Sequence, residues 1–136
     1  MLDTHVLVWW VAGEFAKLSD QAKAHLYLAH PIGPGAQDKS IIVSSMTALE
    51  IAQLVHRERL KLAMDLSTWL AAAESIPGIA FVPVDNDIAV KSVQLPGDFH
   101  KDPADRIIVA TARKYGAQLV TADAKIREYP HVQTIW

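Results

Sequence analysis

The chain has 136 residues, of which 51% are hydrophobic, so it fits one domain with enough apolar material to fill a core. Thirteen lysines and arginines oppose fifteen aspartates and glutamates, and the net charge of −2 provides no global attraction for nucleic acid. The absence of cysteine excludes disulfides and thiolate metal sites. Any polyanion that the chain binds must therefore be held by a local group of residues.

The N-terminal segment predicts neither a secretory leader nor a membrane span. It begins without a basic region, and Asp3, His5 and Glu14 flank an apolar run far shorter than a bilayer requires. With no cysteine to indicate an oxidising compartment, we expect a cytoplasmic protein that has no membrane partner.

The first forty residues predict a very short strand, two helices and a loop. Leu2 to Thr4 fits the strand, and the apolar run over 5–11 fits a buried helix. Ser19 and Asp20 resemble a second helix start, and Pro31 ends that helix. Residues 30–39 contain two prolines and two glycines and therefore predict a loop.

The rest of the chain alternates short apolar strands with helices. The predicted strands are 41–43, 79–82, 118–120 and 132–135, and the predicted helices are 47–60, 65–75, 85–95, 103–115 and 123–130. Asp102 followed by Pro103 is a strong helix start, because proline suits the first helical position. This alternation predicts an α/β fold, a three-layer α/β/α sandwich around a short-stranded, mostly parallel sheet.

Ligand sites in such sheets lie beyond the carboxyl ends of the strands. Asp3 and Asp123 follow strands directly, Asp105 is in the first turn of a helix, and Glu50 is in the first two turns of another. Helix capping is an alternative explanation for the aspartates. Capping does not explain Glu50, which has no basic residue at helical pairing distance, and the residues three and four positions after Asp105 are the apolar Ile108 and Val109.

Four converging carboxylates would require a cation. At separations near ~5 Å, each like-charge pair costs on the order of 3 kcal/mol at an effective dielectric of about 20. Carboxylate oxygens suit Mg²⁺ or Mn²⁺, which is commonly held together with a substrate phosphate. The acids therefore indicate hydrolysis of a phosphodiester.

Four blocks in this order resemble the PIN-domain ribonucleases, specifically the VapC-type toxins of prokaryotic toxin–antitoxin modules. The blocks are LDTHVLVWW from Leu2, VSSMTALEIA from Val43, DPADRIIVATA from Asp102 and LVTAD from Leu119. Two features depart from the family pattern: only two residues precede Asp3, and the 30–39 loop is longer than expected.

The resemblance implies one PIN-like nuclease domain over 1–136, acting as a Mg²⁺- or Mn²⁺-dependent endoribonuclease. Asp3, Glu50, Asp105 and Asp123 match the family's acidic quartet, and Asp102 is an additional acid and possible metal ligand. Asp3 and Asp105 are the expected direct ligands. Glu50 would bind the ion or orient the attacking water. Asp123 would bind a second ion or support the direct ligands without contacting the ion itself. A small cognate antitoxin and a homodimer are also implied.

Several further residues have both a functional and a plainer explanation. Thr4, Ser45 and Thr121 could donate hydrogen bonds to the carboxylates, although helix capping is commoner. Lys101 and Arg106 could meet phosphate. The basic segment over 56–61 could line an RNA groove, although a solvated helix end is the commoner explanation. Tryptophans 9, 10 and 69 fit packing better than base stacking, and the six histidines form no ligand pattern.

Two other functions remain open at this stage. A nuclease that acts on DNA, or a metal-dependent phosphatase, would need the same carboxylates. An interaction domain whose acids serve only as helix caps would need no metal. The sequence does not specify which RNA would be cleaved.

Overall fold

The computed structural model describes residues 1–29 and 41–136. Seven α-helices and one short 3₁₀ turn are described. The α-helices are α1 (Thr4–Val11), α2 (Asp20–Ala29), α3 (Ser45–His56), α4 (Leu66–Ser75), α5 (Asn86–Val93), α6 (Pro103–Lys114) and α7 (Ala124–Arg127), and the 3₁₀ turn is Phe15–Lys17. The strands are β1 (Ile41–Ser44), β2 (Ile79–Val82), β3 (Leu119–Val120) and β4 (Thr134–Ile135).

The N-terminal segment joins two parallel strand pairs into one sheet. β1 pairs with β2 and β3 pairs with β4, both in parallel. Leu2 forms parallel bridges to Val43 and to Val120. Its N–H donates to the carbonyl of Ile42 at 2.9 Å, and the N–H of Asp3 donates to Val120 at 3.0 Å. The order across the sheet is therefore β2, β1, Leu2, β3, β4, and Asp3 lies directly beyond the central position.

Alternate strand residues face opposite helical layers. Ile41 and Val43 of β1 belong to a buried cluster that includes Leu7 of α1 and Trp69 of α4. Ile42 packs instead against the cluster built mainly from α5, α6 and α7. Helices thus cover both faces of the sheet, which is the three-layer arrangement expected from the sequence. No described helix is long and apolar enough to cross a bilayer.

The main differences from the predicted elements occur at their ends. The predicted first strand is reduced to the bridging residue Leu2, and the 3₁₀ turn was not predicted. α3 ends at His56 instead of Leu60, because Glu58 adopts a left-handed conformation with φ 57°. The N–H of Arg59 then bonds back to the carbonyl of Leu54 at 2.9 Å and closes the helix. The predicted 30–39 loop lies outside the described residues.

Candidate active site

Asp3 is fixed at the centre of the candidate site by two hydrogen bonds. It is 5% exposed and forms the N-cap of α1, where its Oδ1 accepts the N–H of Thr4 at 2.7 Å. Its Oδ2 accepts the hydroxyl of Thr121 at 2.7 Å. Burial raises the pKa of Asp3, while the hydrogen bonds from Thr121 and Thr4 oppose that rise. The threonines therefore supply the polar contacts that a buried carboxylate needs.

Glu50 is connected to Asp3 through the same threonine. The hydroxyl of Thr4 donates to Oε2 of Glu50 and also lies 3.2 Å from the hydroxyl oxygen of Thr47. Burial raises the pKa of Glu50, and the charge of Asp3 adds to that rise. Thr4 thus holds two of the expected acids, one through its backbone and the other through its side chain.

Asp105 has a strongly raised pKa. Its pKa is raised from 3.8 to about 7, and burial is the largest cause of this rise. The negative charges of four other acids add to this, in the order Asp102, Asp3, Asp123 and Glu50. The five expected acids therefore lie close enough to interact electrostatically around the start of α6. His100 Nε2 is 3.4 Å from Asp105 Oδ2 and has no hydrogen-bond partner among the described residues.

Asp102 and Asp123 do serve as helix caps, as the plainer interpretation predicts. Oδ1 of Asp102 accepts the N–H of Ala104 at 2.9 Å, and Oδ1 of Asp123 accepts the N–H of Lys125 at 2.7 Å. The second oxygen of each carboxylate accepts no hydrogen bond from the described residues. Capping consequently leaves one oxygen of each acid available to a ligand.

Asp3 and Asp123 follow strand positions, and Glu50, Asp102 and Asp105 lie at or near the starts of α3 and α6, but these acids are not gathered into a metal site. Within residues 1–29 and 41–136, no three His, Asp or Glu side chains form a group that could hold a metal ion. The donor chemistry nevertheless suits Mg²⁺ or Mn²⁺, since it consists of carboxylate oxygens without sulfur. A cation would offset the negative charges that, after burial, raise the pKa of Asp105.

The supporting residues divide between confirmed and incorrect predictions. Thr4 and Thr121 donate to the carboxylates, whereas the hydroxyl of Ser45 accepts the N–H of Val84 at 3.1 Å. Arg106 is not available for phosphate in this structure. Its guanidinium donates to four backbone carbonyls between Ser92 and His100, at 2.8 to 3.1 Å.

Sequence reasoning missed two polar neighbours of the acids. The contact of His100 with Asp105 depends on the path of the chain before α6, for which the sequence contains no pattern. Thr47 is three residues before Glu50 and so shares its helix face, a spacing that could have identified it. Lys101 is exposed, as expected of an isolated lysine.

Comparison with known proteins identifies the family. The sequence model that defines the PIN domain family matches residues 1–132, so the chain belongs to the PIN-domain family. A curated relative is Ribonuclease VapC22 of Mycobacterium tuberculosis (strain ATCC 25618 / H37Rv), which is 34% identical over 139 residues, covering 100% of this chain and 97% of the relative. The resemblance to VapC-type PIN proteins is therefore confirmed.

Solved structures of toxin–antitoxin complexes share the fold. DNA-bound VapBC from Salmonella typhimurium matches with a TM-score of 0.64 and 19% identity, covering 98% of this chain and 94% of that one. VapBC2 from Rickettsia felis, bound to a DNA fragment from its promoter, matches with a TM-score of 0.63 and 18% identity, covering 98% and 95%. These similarities confirm the expected α/β fold class.

Proposed function

We propose that this chain is a divalent-metal-dependent endoribonuclease, the toxin of a VapBC-type toxin–antitoxin pair. The observation that carries the proposal is the set of four acids whose charges act on Asp105, whose pKa of about 7 reflects burial and surrounding negative charge. Such perturbed carboxyl groups are typical of functional sites. The similarity to a VapC ribonuclease over the full chain supports RNA as the polymer.

The family resemblance and the surroundings of the acids support the following roles. Asp3 and Asp105 would bind Mg²⁺ or Mn²⁺ directly, and Asp102 and Asp123 each offer one oxygen left over from helix capping. The bound ion would activate water for attack on the phosphate and stabilise the leaving oxygen. Glu50 would bind the ion or orient the water, with Thr4 holding its carboxylate in place.

Metal binding can be tested on the purified protein. Mn²⁺ should raise the melting temperature and change the tryptophan fluorescence, because an ion that binds only the folded state stabilises it. Asp105→Asn should lose most of that response. Asp65→Asn is the matched control, since Asp65 also caps a helix but is absent from the charges that act on Asp105. A wild-type protein without any response to Mn²⁺ or Mg²⁺ would refute the proposed mechanism.

Substrate class requires a separate assay. Single-stranded RNA and DNA of one sequence should be incubated with the protein and Mg²⁺, and RNA alone should be cut. Glu50→Gln should reduce cleavage by at least ~100-fold if Glu50 binds the ion or orients the water. Cleavage of DNA alone would favour a DNA-directed nuclease. Cleavage of neither polymer, by a protein that binds the metal, would favour a phosphatase or an interaction domain.

The partner proposals have their own tests. We propose a small antitoxin that inhibits the protein, a homodimer and a cytoplasmic location. A short reading frame beside the gene that encodes a DNA-binding protein would support the antitoxin. Co-expression of that protein should suppress cleavage, and light scattering of the isolated chain should give twice the monomer mass.

A further inference from the structure

A charged groove leads away from the acids between α1 and the end of α3. Its first cleft, about 440 Å³ in volume, is lined by Glu50 and Asp102 at one end and by Arg57 and Arg59 at the other. A second cleft of about 370 Å³ adjoins it and shares His5, Leu54 and Arg59 with the first. We refer to the two clefts together as the His5–Arg59 groove.

Three basic side chains of the groove are without partners, whereas Lys17 in the second cleft is paired with Glu14 at 2.8 Å. Among the described residues, Arg57, Arg59 and Lys61 have no ion pair and no side-chain hydrogen bond. The left-handed turn at Glu58, with φ 57°, ends α3 and places both arginines along the same cleft. Arginine binds phosphate through two parallel hydrogen bonds. The turn therefore presents a pair of unoccupied phosphate donors next to the acidic rim.

An aromatic ring lies at the far end of the groove. Trp9 is half-buried, and its ring centroid is 5.7 Å from that of His5. Lys17 lies 5.9 Å from the Trp9 ring centroid and lines the same cleft as Lys61. Proteins that bind single-stranded nucleic acid combine basic grooves with aromatic surfaces on which unpaired bases stack. The groove has both components.

We propose that a single-stranded RNA segment lies along the His5–Arg59 groove, with successive phosphates on Arg57, Arg59 and Lys61 and one base against Trp9. This inference rests on the proposed function and adds the path of the substrate to it. The path brings a phosphate toward Glu50 and Asp102, which line the near end of the first cleft. A duplex would not fit this arrangement, because the base on Trp9 must be unstacked.

Binding without cleavage tests the path independently of the chemistry. Fluorescence polarisation of a labelled 12-nucleotide RNA of mixed sequence should be measured in EDTA over a series of salt concentrations. Arg57→Gln and Arg59→Gln should each weaken binding about tenfold and reduce the slope of log affinity against log salt by about 0.7, the value for one lost phosphate contact on a single strand. Lys91→Gln, which removes one positive charge from α5 outside the groove, should leave both values unchanged.

Trp9 gives an independent readout. Trp9→Leu should weaken binding about tenfold with no change in the salt slope, because stacking involves no counterion release. Trp9→Phe should restore much of the loss and serves as the control for packing of α1. A duplex of the same RNA with its complementary strand should bind at least tenfold more weakly to the wild-type protein.

The outcomes separate this path from the proposed function. If the wild-type protein cleaves RNA and the groove variants bind RNA as tightly as the wild type does, the path is overturned and the ribonuclease function is not. Groove variants that bind RNA normally but lose a protein partner would assign the groove to that partner and also overturn the path. Absence of binding by the wild-type protein in EDTA would overturn it as well. Groove-dependent binding without metal-dependent cleavage would refute only the nuclease function.

Discussion

Replacing Asp105 with asparagine should stabilise the metal-free protein while abolishing its activity. In the folded chain the pKa of Asp105 is about 7, first because of burial and then because of the charges of neighbouring acids. Ionising this group in the folded state is therefore unfavourable, and the unfolded chain ionises it freely. Asparagine has nearly the same shape as the protonated acid and carries no charge at any pH.

The size and sign of the effect follow from proton linkage. Between pH 4 and 7 the folded protein binds more protons at Asp105 than the unfolded chain, so stability falls as pH rises through this window. A pKa of about 7 in place of 3.8 corresponds to on the order of 4 kcal/mol at alkaline pH. At pH 5 the loss is about 2 kcal/mol, and below pH 4 it disappears. Relative to wild type, Asp105→Asn should thus gain roughly 2 to 3 kcal/mol more at pH 8 than at pH 5.

Urea denaturation in EDTA at pH 5, 6.5 and 8 measures this difference directly. At about 3 °C per kcal/mol, melting temperatures should diverge by roughly 8 °C over the same range. Asp65→Asn is the control, because hydrogen bonds from the Thr68 side chain and backbone lower the pKa of Asp65, so its effect on stability should not change between pH 5 and 8. A stability difference between Asp105→Asn and wild type that does not change between pH 5 and 8 would refute the raised pKa assigned to Asp105.

Three further changes test the supporting contacts. Thr121→Val removes the hydroxyl that donates to buried Asp3, so the pKa of Asp3 should rise further. The acid limb of the pH–activity profile should then shift to higher pH, with at least ~10-fold lower cleavage at pH 7. Arg106→Lys cannot reach all four carbonyls and should cost about 2–3 kcal/mol in urea denaturation without changing metal affinity. Gly116→Ala should cost about 1 kcal/mol by the same measurement. The cost arises from the positive φ of 58° alone, because nothing lies within 4 Å of the added carbon.

The parts of the site that could be predicted from sequence depend on local rules. The strand-end rule identified Asp3 and Asp123, since parallel strands bring their carboxyl ends to one edge. The lack of basic residues at helical spacing identified Glu50, whose raised pKa and threonine partner fit a residue that is not merely solvated. Periodicity likewise predicted the alternating helices and strands, although several ended earlier than expected.

The parts that could not be predicted depend on contacts between distant segments. Arg106 follows directly after Asp105, yet its side chain turns toward carbonyls before α6 rather than toward phosphate. Nothing in the sequence from Ser92 to His100 indicates that the carbonyls of this segment accept hydrogen bonds from Arg106. The end of α3 was placed too late because Glu58 adopts a conformation usually reserved for glycine. That turn also controls which way Arg57 and Arg59 point.

The distribution of charge is difficult to explain by stability alone. Arg57 and Arg59 line the same cleft as Glu50 and Asp102, but the described residues form no ion pair between these two groups. The acids instead raise the pKa of Asp105, while the arginines stay unpaired. A chain under selection for folding alone would gain by pairing them. The arrangement is explained if a metal ion binds the acids and the phosphates of a nucleic-acid strand bind the neighbouring arginines.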